Sequence, residues 1–264
     1  MGYDEAQVYT QPLYYEVAFS FRDILKEADC FSECIRRFSR IPVHRVLELA
    51  CGPAPHLAEL ARRGFAYVGV DVSAEMLEYA AQRAMAAGAA TEFIQASMID
   101  FTLKSPADFV FVALGSLYAR STPELGCHLD SVSRALQPGG LYFLDWCIQF
   151  GGEATGQAGG ESWEIERDGI RVQARVTMAP VDQVEQLLEE TITLQVEDHG
   201  KSCTLTTTDL KRAIYPQELL RVIETRRDFS FVGWWNNWDL NSPLAQVKLG
   251  IKRPIVVLRR EAAA

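Results

Sequence analysis

The chain is short of most features that would tie it to a membrane, a metal or a nucleic acid. Nowhere in its 264 residues is there a run near the ~20 consecutive apolar residues that a spanning helix needs, so no membrane partner is expected. Basic residues are outnumbered, 26 Lys and Arg against 35 Asp and Glu, leaving a formal net charge of −9. A polyanion would meet a repulsive average field, so no nucleic-acid partner is expected. Arg36, Arg37 and Arg40 cluster at helical spacing and read as a solvated face. There are 4 histidines, at positions 44, 56, 128 and 199, and none stands where a catalytic base is expected. The six cysteines (30, 34, 51, 127, 147 and 203) contain no C-x-x-C pair and fit no zinc spacing. Cys30 and Cys34, one helical turn apart, are expected to pack as buried apolar groups. The opening residues lack the basic-then-apolar order of a secretory signal. Reduced thiols in a cytoplasmic protein are the expectation.

Apolar residues make up 48% of the chain, enough for one large domain or one domain with an insertion. Its organising stretch runs from Val46 to Val72. Val46-Leu47-Glu48-Leu49 reads as a buried strand and Ala50-Cys51-Gly52-Pro53-Ala54 as a tight turn of small residues. A helix follows from about Pro55 to Arg63, closed by Gly64. A second buried strand then ends in Gly69-Val70-Asp71-Val72. Strand, small-residue turn, helix, strand and terminal acid make up the nucleotide end of a doubly wound α/β sheet, where ligands lie beyond the carboxyl ends of the strands. The dinucleotide fingerprint G-x-G-x-x-G is missing its third glycine.

The spacing Glu48-x-Ala50-x-Gly52-x-Ala54, with Asp71 about twenty residues on, resembles motif I of the class I S-adenosylmethionine (SAM) dependent methyltransferases. Ala50 and Ala54 stand where that pattern most often has glycine. The resemblance covers about residues 43–146 and includes Leu136-Gln137-Pro138-Gly139-Gly140 before an apolar strand. It implies a Rossmann-like, doubly wound seven-stranded sheet with an antiparallel last strand, and SAM as the cofactor. The cofactor residues it implies are Glu48, Ala50, Cys51, Gly52, Asp71 (to the ribose), Val72, Met76, Ser97, Met98 and Leu114. Ser97 takes the place of the family's acid at the adenine.

Residues 1–42 look like the N-terminal helical lid of small-molecule members of that family, with apolar residues at helical spacing from Leu13 to about Arg40. Within it Tyr14 is expected to meet the methyl donor and to act in catalysis. Arg22 is expected to pair with the methionine carboxylate of SAM, and Tyr15 to face the substrate. Residues 43–150 and 213–264 form the expected SAM-binding domain. Between them, 151–212 opens on a glycine-rich link and continues as segments of alternating branched and charged residues, with Asp168-Gly169 as a hairpin turn. That predicts an inserted antiparallel sheet over the substrate. Tyr118, after the fourth strand, is expected to orient the acceptor or help remove its proton, and Trp146 to flank it. The Trp234–Trp238 stretch is expected to be a loop, packed onto the sheet in preference to lining the substrate.

The function this implies is methyl transfer to a small-molecule acceptor, more at N or O than at carbon, by a chain that forms a homodimer or acts alone. A SAM-fold protein with other chemistry, a non-catalytic SAM-binding partner and a nicotinamide dehydrogenase are the alternatives. The dehydrogenase is disfavoured by the missing glycine.

Overall fold

The structure, a computed structural model, describes residues 7–151, 159–247 and 249–262. Residues 1–6 of the lead-in and most of the glycine-rich link lie outside the described residues. Two helices, Pro12–Ala18 (α1) and Ile24–Phe38 (α2), take the place of the single lid helix expected from Leu13 to Arg40. The helix breaks where Asp23 leaves helical geometry, and the Asp23 carboxylate accepts the Lys26 N–H at 3.0 Å, capping α2.

The α/β alternation follows as Arg45–Leu49 (β1), Leu57–Arg62 (α3), Ala66–Asp71 (β2), Ala74–Ala87 (α4), Thr91–Gln95 (β3), Ala107–Val112 (β4), Thr122–Ala135 (α5) and Leu136–Asp145 (β5). Ser73 and Ser121 cap α4 and α5 by accepting the N–H of Met76 and Glu124. Gly88 stops α4 in the left-handed region, which costs glycine little.

Four strands, Gly159–Arg167 (β6), Ile170–Asp182 (β7), Leu187–Asp198 (β8) and Lys201–Arg212 (β9), form a separate antiparallel sheet in sequence order. Asp168-Gly169 and His199-Gly200 have positive φ at both residues, the two-residue turn whose twist matches a hairpin. The chain then returns through Pro216–Thr225 (α6), Phe229–Asn236 (β10), Asp239–Pro243 (β11) and Pro254–Arg260 (β12).

The large sheet has the order β11-β10-β12-β5-β4-β1-β2-β3, parallel from β5 to β3 and antiparallel where β12 meets β5. It holds eight strands, one more than expected. The additional edge strand exists because Asn237-Trp238 takes positive φ at both residues and turns the chain back on itself. Trp234 and Trp235 therefore lie in β10, not in a loop. Trp238 stacks on Phe143 with centroids 5.6 Å apart, and Trp235 lies against Phe38 at 5.0 Å. Their role is packing.

Apolar residues of α2, α3 and α4 cover one face of this sheet, and those of α5 and α6 the other. A third apolar cluster holds Val17 and Ala18 of α1 against Val172, Ala174 and Leu194 of the inserted sheet. The Leu136–Gly140 segment, which the sequence sets before the apolar strand, is drawn into β5 with a slip of register against β4. A side chain at Gly140 would collide with the Asp108 carbonyl oxygen. Replacing Gly140 by alanine should therefore cost about 1–3 kcal/mol through overpacking. A lowered urea midpoint at unchanged slope would register it, and an unchanged midpoint would refute it.

Candidate active site

A cavity of about 810 Å³ lies at the carboxyl ends of β1, β2, β4 and β5, beneath the inserted sheet. That size suits a small-molecule site. A second cavity of about 240 Å³ shares Tyr15, Ala50, Gly52 and Leu114 with the first.

The strand tips that line these cavities are strained. Ala50, Gly52 and Ala54 have φ of 51°, 50° and 51°, Leu114 has 57° and Trp146 58°. For a residue with a Cβ the left-handed region costs roughly 1–2 kcal/mol, and such strain gathers at functional sites. Hydrogen bonds hold each tip in place. The Gly52 N–H donates to Asp71 Oδ2 at 2.8 Å and the Ser73 N–H to Oδ1 at 2.9 Å. The Leu114 N–H donates to Asp145 Oδ2 at 2.8 Å, and Arg253 grips the same carboxylate through Nε and Nη2 at 2.8 and 2.6 Å. Burial lifts the Asp71 carboxyl above its ordinary range, although the backbone N–H groups of Ser73 and Gly52 oppose the shift.

Of the residues singled out from the sequence, the structure brings Tyr15, Ala50, Gly52, Asp71, Val72 and Met76 to the large cavity. Ser97, Met98, Leu114, Tyr118 and Trp146 line it too. Tyr14 does not reach it. One step along a helix turns a side chain by about 100°, and the Tyr14 hydroxyl donates instead to Asp198 Oδ2 at 2.9 Å. It straps α1 to the inserted sheet, and the cofactor and catalytic roles expected of it are withdrawn. The Cys51 side chain is buried beside Gly69 and, with Glu48, lines the smaller cavity.

Glu48 and Arg22 belong to a buried polar chain behind the turn. His56 is fully buried, with Nδ1 2.8 Å from Glu48 Oε1 and Nε2 2.8 Å from Glu27 Oε2. Glu48 also accepts the Tyr67 hydroxyl at 2.6 Å. Burial works against a charged imidazole, but Glu48 and Glu27 outweigh it and hold His56 above its ordinary range. Both ring nitrogens then donate, one to each carboxylate. Burial likewise works against a charged Glu27, yet His56 and Arg22 bring its carboxyl down to about 2. Arg22 commits Nε and Nη2 to Glu27 at 3.2 and 2.5 Å while lining the smaller cavity.

Among the cavity residues missed in the sequence are three from β8 and β9. Glu190 accepts the Tyr118 hydroxyl at 2.8 Å and the Lys211 ammonium at 2.9 Å, and Asp209 lies across from Glu190 on β9. Burial raises the Tyr118 phenol well above its usual value, which keeps it a donor and suits the orienting role expected of it over the removal of a proton. The signal was present in the alternation. Ile192, Leu194 and Val196 point inward on β8, which puts Glu190 on the same face. Alternation alone does not say which part of that face covers a cavity.

The Glu27 carboxyl, depressed in the folded state, stabilises the fold above the ordinary glutamate range. That contribution is lost as pH falls from about 4 toward 2. Glu27→Gln should lower stability at neutral pH and flatten its decline over that window, as read from urea midpoints against pH. An acid limb identical to that of the unmodified protein would refute the clamp.

Residues 46–140 match the family described as "Methyltransferase domain". The dTDP-3-amino-3,4,6-trideoxy-alpha-D-glucopyranose N,N-dimethyltransferase of Streptomyces venezuelae is 29% identical over 126 residues, 47% of this chain and 51% of that protein. The chain spans between 41% and 51% of the length of the curated relatives it matches. Among solved structures, an S-adenosylmethionine-dependent methyltransferase from Clostridium acetobutylicum superposes with a TM-score of 0.76 at 17% identity, covering 95% of this chain and 97% of that one. The sugar N-methyltransferase KedS8 from Streptoalloteichus gives 0.72 at 20%, covering 99% and 96%. Residues 46–140 thus match a methyltransferase-domain family, and nearly the whole chain shares the fold of these methyltransferase structures.

Proposed function

We propose that the protein transfers a methyl group from SAM to a nitrogen, or failing that an oxygen, of a small-molecule acceptor. The observation that carries this is the Ala50–Ala54 turn folded onto Asp71, whose two oxygens take the Gly52 and Ser73 N–H groups at the rim of the large cavity. Each oxygen keeps lone-pair capacity for a ribose hydroxyl. Val72, 65% exposed beside it, and the methionines Met76 and Met98 offer apolar surface to an adenine. Ser97 offers a hydroxyl, although its oxygen already accepts the Ile99 N–H at 3.2 Å. Arg22, on the smaller cavity, is the cation for the methionine carboxylate, with its Nε side fixed by Glu27. The residues present fit the cofactor.

When bound, SAM supplies an electrophilic methyl group on sulfur. The protein's share is to position the acceptor, exclude water and handle its proton. Tyr15 over the turn, with Trp146 and Leu114 at the tips of β5 and β4, would enclose the reacting centre. Trp146 presents a π face suited to a cationic acceptor. The inserted sheet of β6–β9 would cover the acceptor. The amino-sugar N,N-dimethyltransferase and the sugar N-methyltransferase among the similar proteins support nitrogen over oxygen. A cytoplasmic location goes with the six free cysteines. Exposed Leu13 and Leu25 of the lid offer apolar surface for a homodimer.

Calorimetry against SAM, its demethylated product and NAD tests the proposal. The first two should bind and NAD should not. Asp71→Ala should weaken SAM and its product alike, by about 1–3 kcal/mol. No binding of either, or unchanged affinity in the variant, would sink it.

A further inference from the structure

The inward face of the inserted sheet changes character along its length. Near the Asp168-Gly169 and His199-Gly200 turns it is apolar, packed by Val172, Leu194 and Leu205 onto α1. Toward the other end the same alternation brings Glu190, Asp209 and Lys211 over the large cavity. Charged groups on an inward face cost free energy unless they are paired or solvated. Glu190 and Lys211 are paired, 8% and 7% exposed, with Tyr118 as a further donor to Glu190. Asp209 has no such account. Directly opposite Glu190 on the neighbouring strand, it accepts no hydrogen bond among the described residues and faces the cavity with its carboxylate uncommitted.

The groups around Asp209 come from several elements. Glu190 lies on β8 and Lys211 on its own strand, the Arg120 guanidinium precedes α5, and the Tyr9 and Tyr118 phenols stand nearby. Burial lifts the Asp209 carboxyl above its usual range and Glu190 adds to the lift, with Arg120 and Lys211 opposing. Two carboxylates side by side, one neutralised by a lysine and one open, attract a cation and have a place for a proton.

We propose that Asp209 is the acceptor-side catalytic residue, binding the ammonium of an amine acceptor and taking its proton, with Glu190 fixed beside it by Lys211 and Tyr118. The inference rests on the methyltransferase reading and deepens it. The step assigned to Asp209 is the proton transfer alone. An N–H bond of the ammonium breaks, its electron pair stays on nitrogen as the nucleophilic lone pair, and the proton passes to a carboxylate oxygen, from which it leaves to solvent. Glu190 has its oxygens occupied by two donors and is a positioning residue.

The test uses the full chain and matched probes, glucosamine against glucose and cyclohexylamine against cyclohexanol. Binding is measured with and without saturating demethylated cofactor. The amine of each pair should bind about tenfold more tightly than the alcohol, the gain of a charge-assisted contact over a neutral one. Asp209→Asn should abolish that preference while leaving cofactor affinity and melting temperature unchanged, and Asp209→Glu should retain it. Amine affinity should rise with pH through a titration above the ordinary aspartate range, and Asp209→Asn should lose that rise. No amine preference in the unmodified protein, or a preference and pH rise that survive in Asp209→Asn, would overturn the assignment. Failure of the demethylated cofactor to bind would instead count against the methyltransferase reading, because the amine preference is also read without it.

Discussion

A single buried imidazolium ties the lid to the cofactor turn. His56 carries its two N–H groups to Glu27 on α2 and Glu48 on β1, residues far apart in sequence. Removing either carboxylate would leave an uncompensated buried charge, the costly case for such networks. Through Glu27 the chain continues to Arg22, and through Glu48 to Tyr67 on the second strand. The lid is thus positioned by the same group that backs the motif turn. The side chains aimed at the two cavities keep their places because the layer behind them is locked.

The inserted sheet is held from the other side. Glu16 on α1 accepts Arg167 of the sheet at 3.0 Å and Arg83 and Tyr79 of α4 at 2.7 Å each. The Trp163 indole donates to the Ala18 carbonyl at 2.6 Å. The first lid helix is therefore a wedge between the sheet that carries the motif turn and the sheet that roofs the cavity. Its tyrosines divide the work: Tyr15 turns to the cavity and Tyr14 to the roof.

Much of the fold was legible because local chemistry agreed with tertiary context. Ser73 and Gly88 bracket α4 as their residue types dictate, and Asp168-Gly169 forces its hairpin. The Val46–Asp71 stretch announced the large sheet through its two apolar strands and the acid between them and the next helix. Failures came where distant partners decided the outcome. The lid reads as one helix because nothing in its apolar period marks Asp23 as a cap. Trp234–Trp238 reads as a loop because its hairpin rests on Trp238 adopting a positive φ that a bulky residue disfavours. At the site, Asp71 and its turn were readable from spacing. Glu190, Asp209 and Lys211 were not, since a period of two assigns a face but not what lies beneath it.

The alanines at positions 50 and 54 carry a consequence for how the site can change. In a glycine turn the left-handed conformation is one of several of similar energy, and the loop can wander. With alanine, the alternatives to the observed shape are ordinary right-handed or extended backbone, and either would pull Gly52 off Asp71. The turn keeps its shape only while its contacts to Asp71 outweigh the intrinsic cost of left-handed alanine. Branched side chains are barred from Ala50 by backbone handedness even where the adjoining cavity has room for them. Drift in ligand preference is thereby steered away from the cofactor turn and onto the roof, where strand positions accept new side chains without asking the backbone to move.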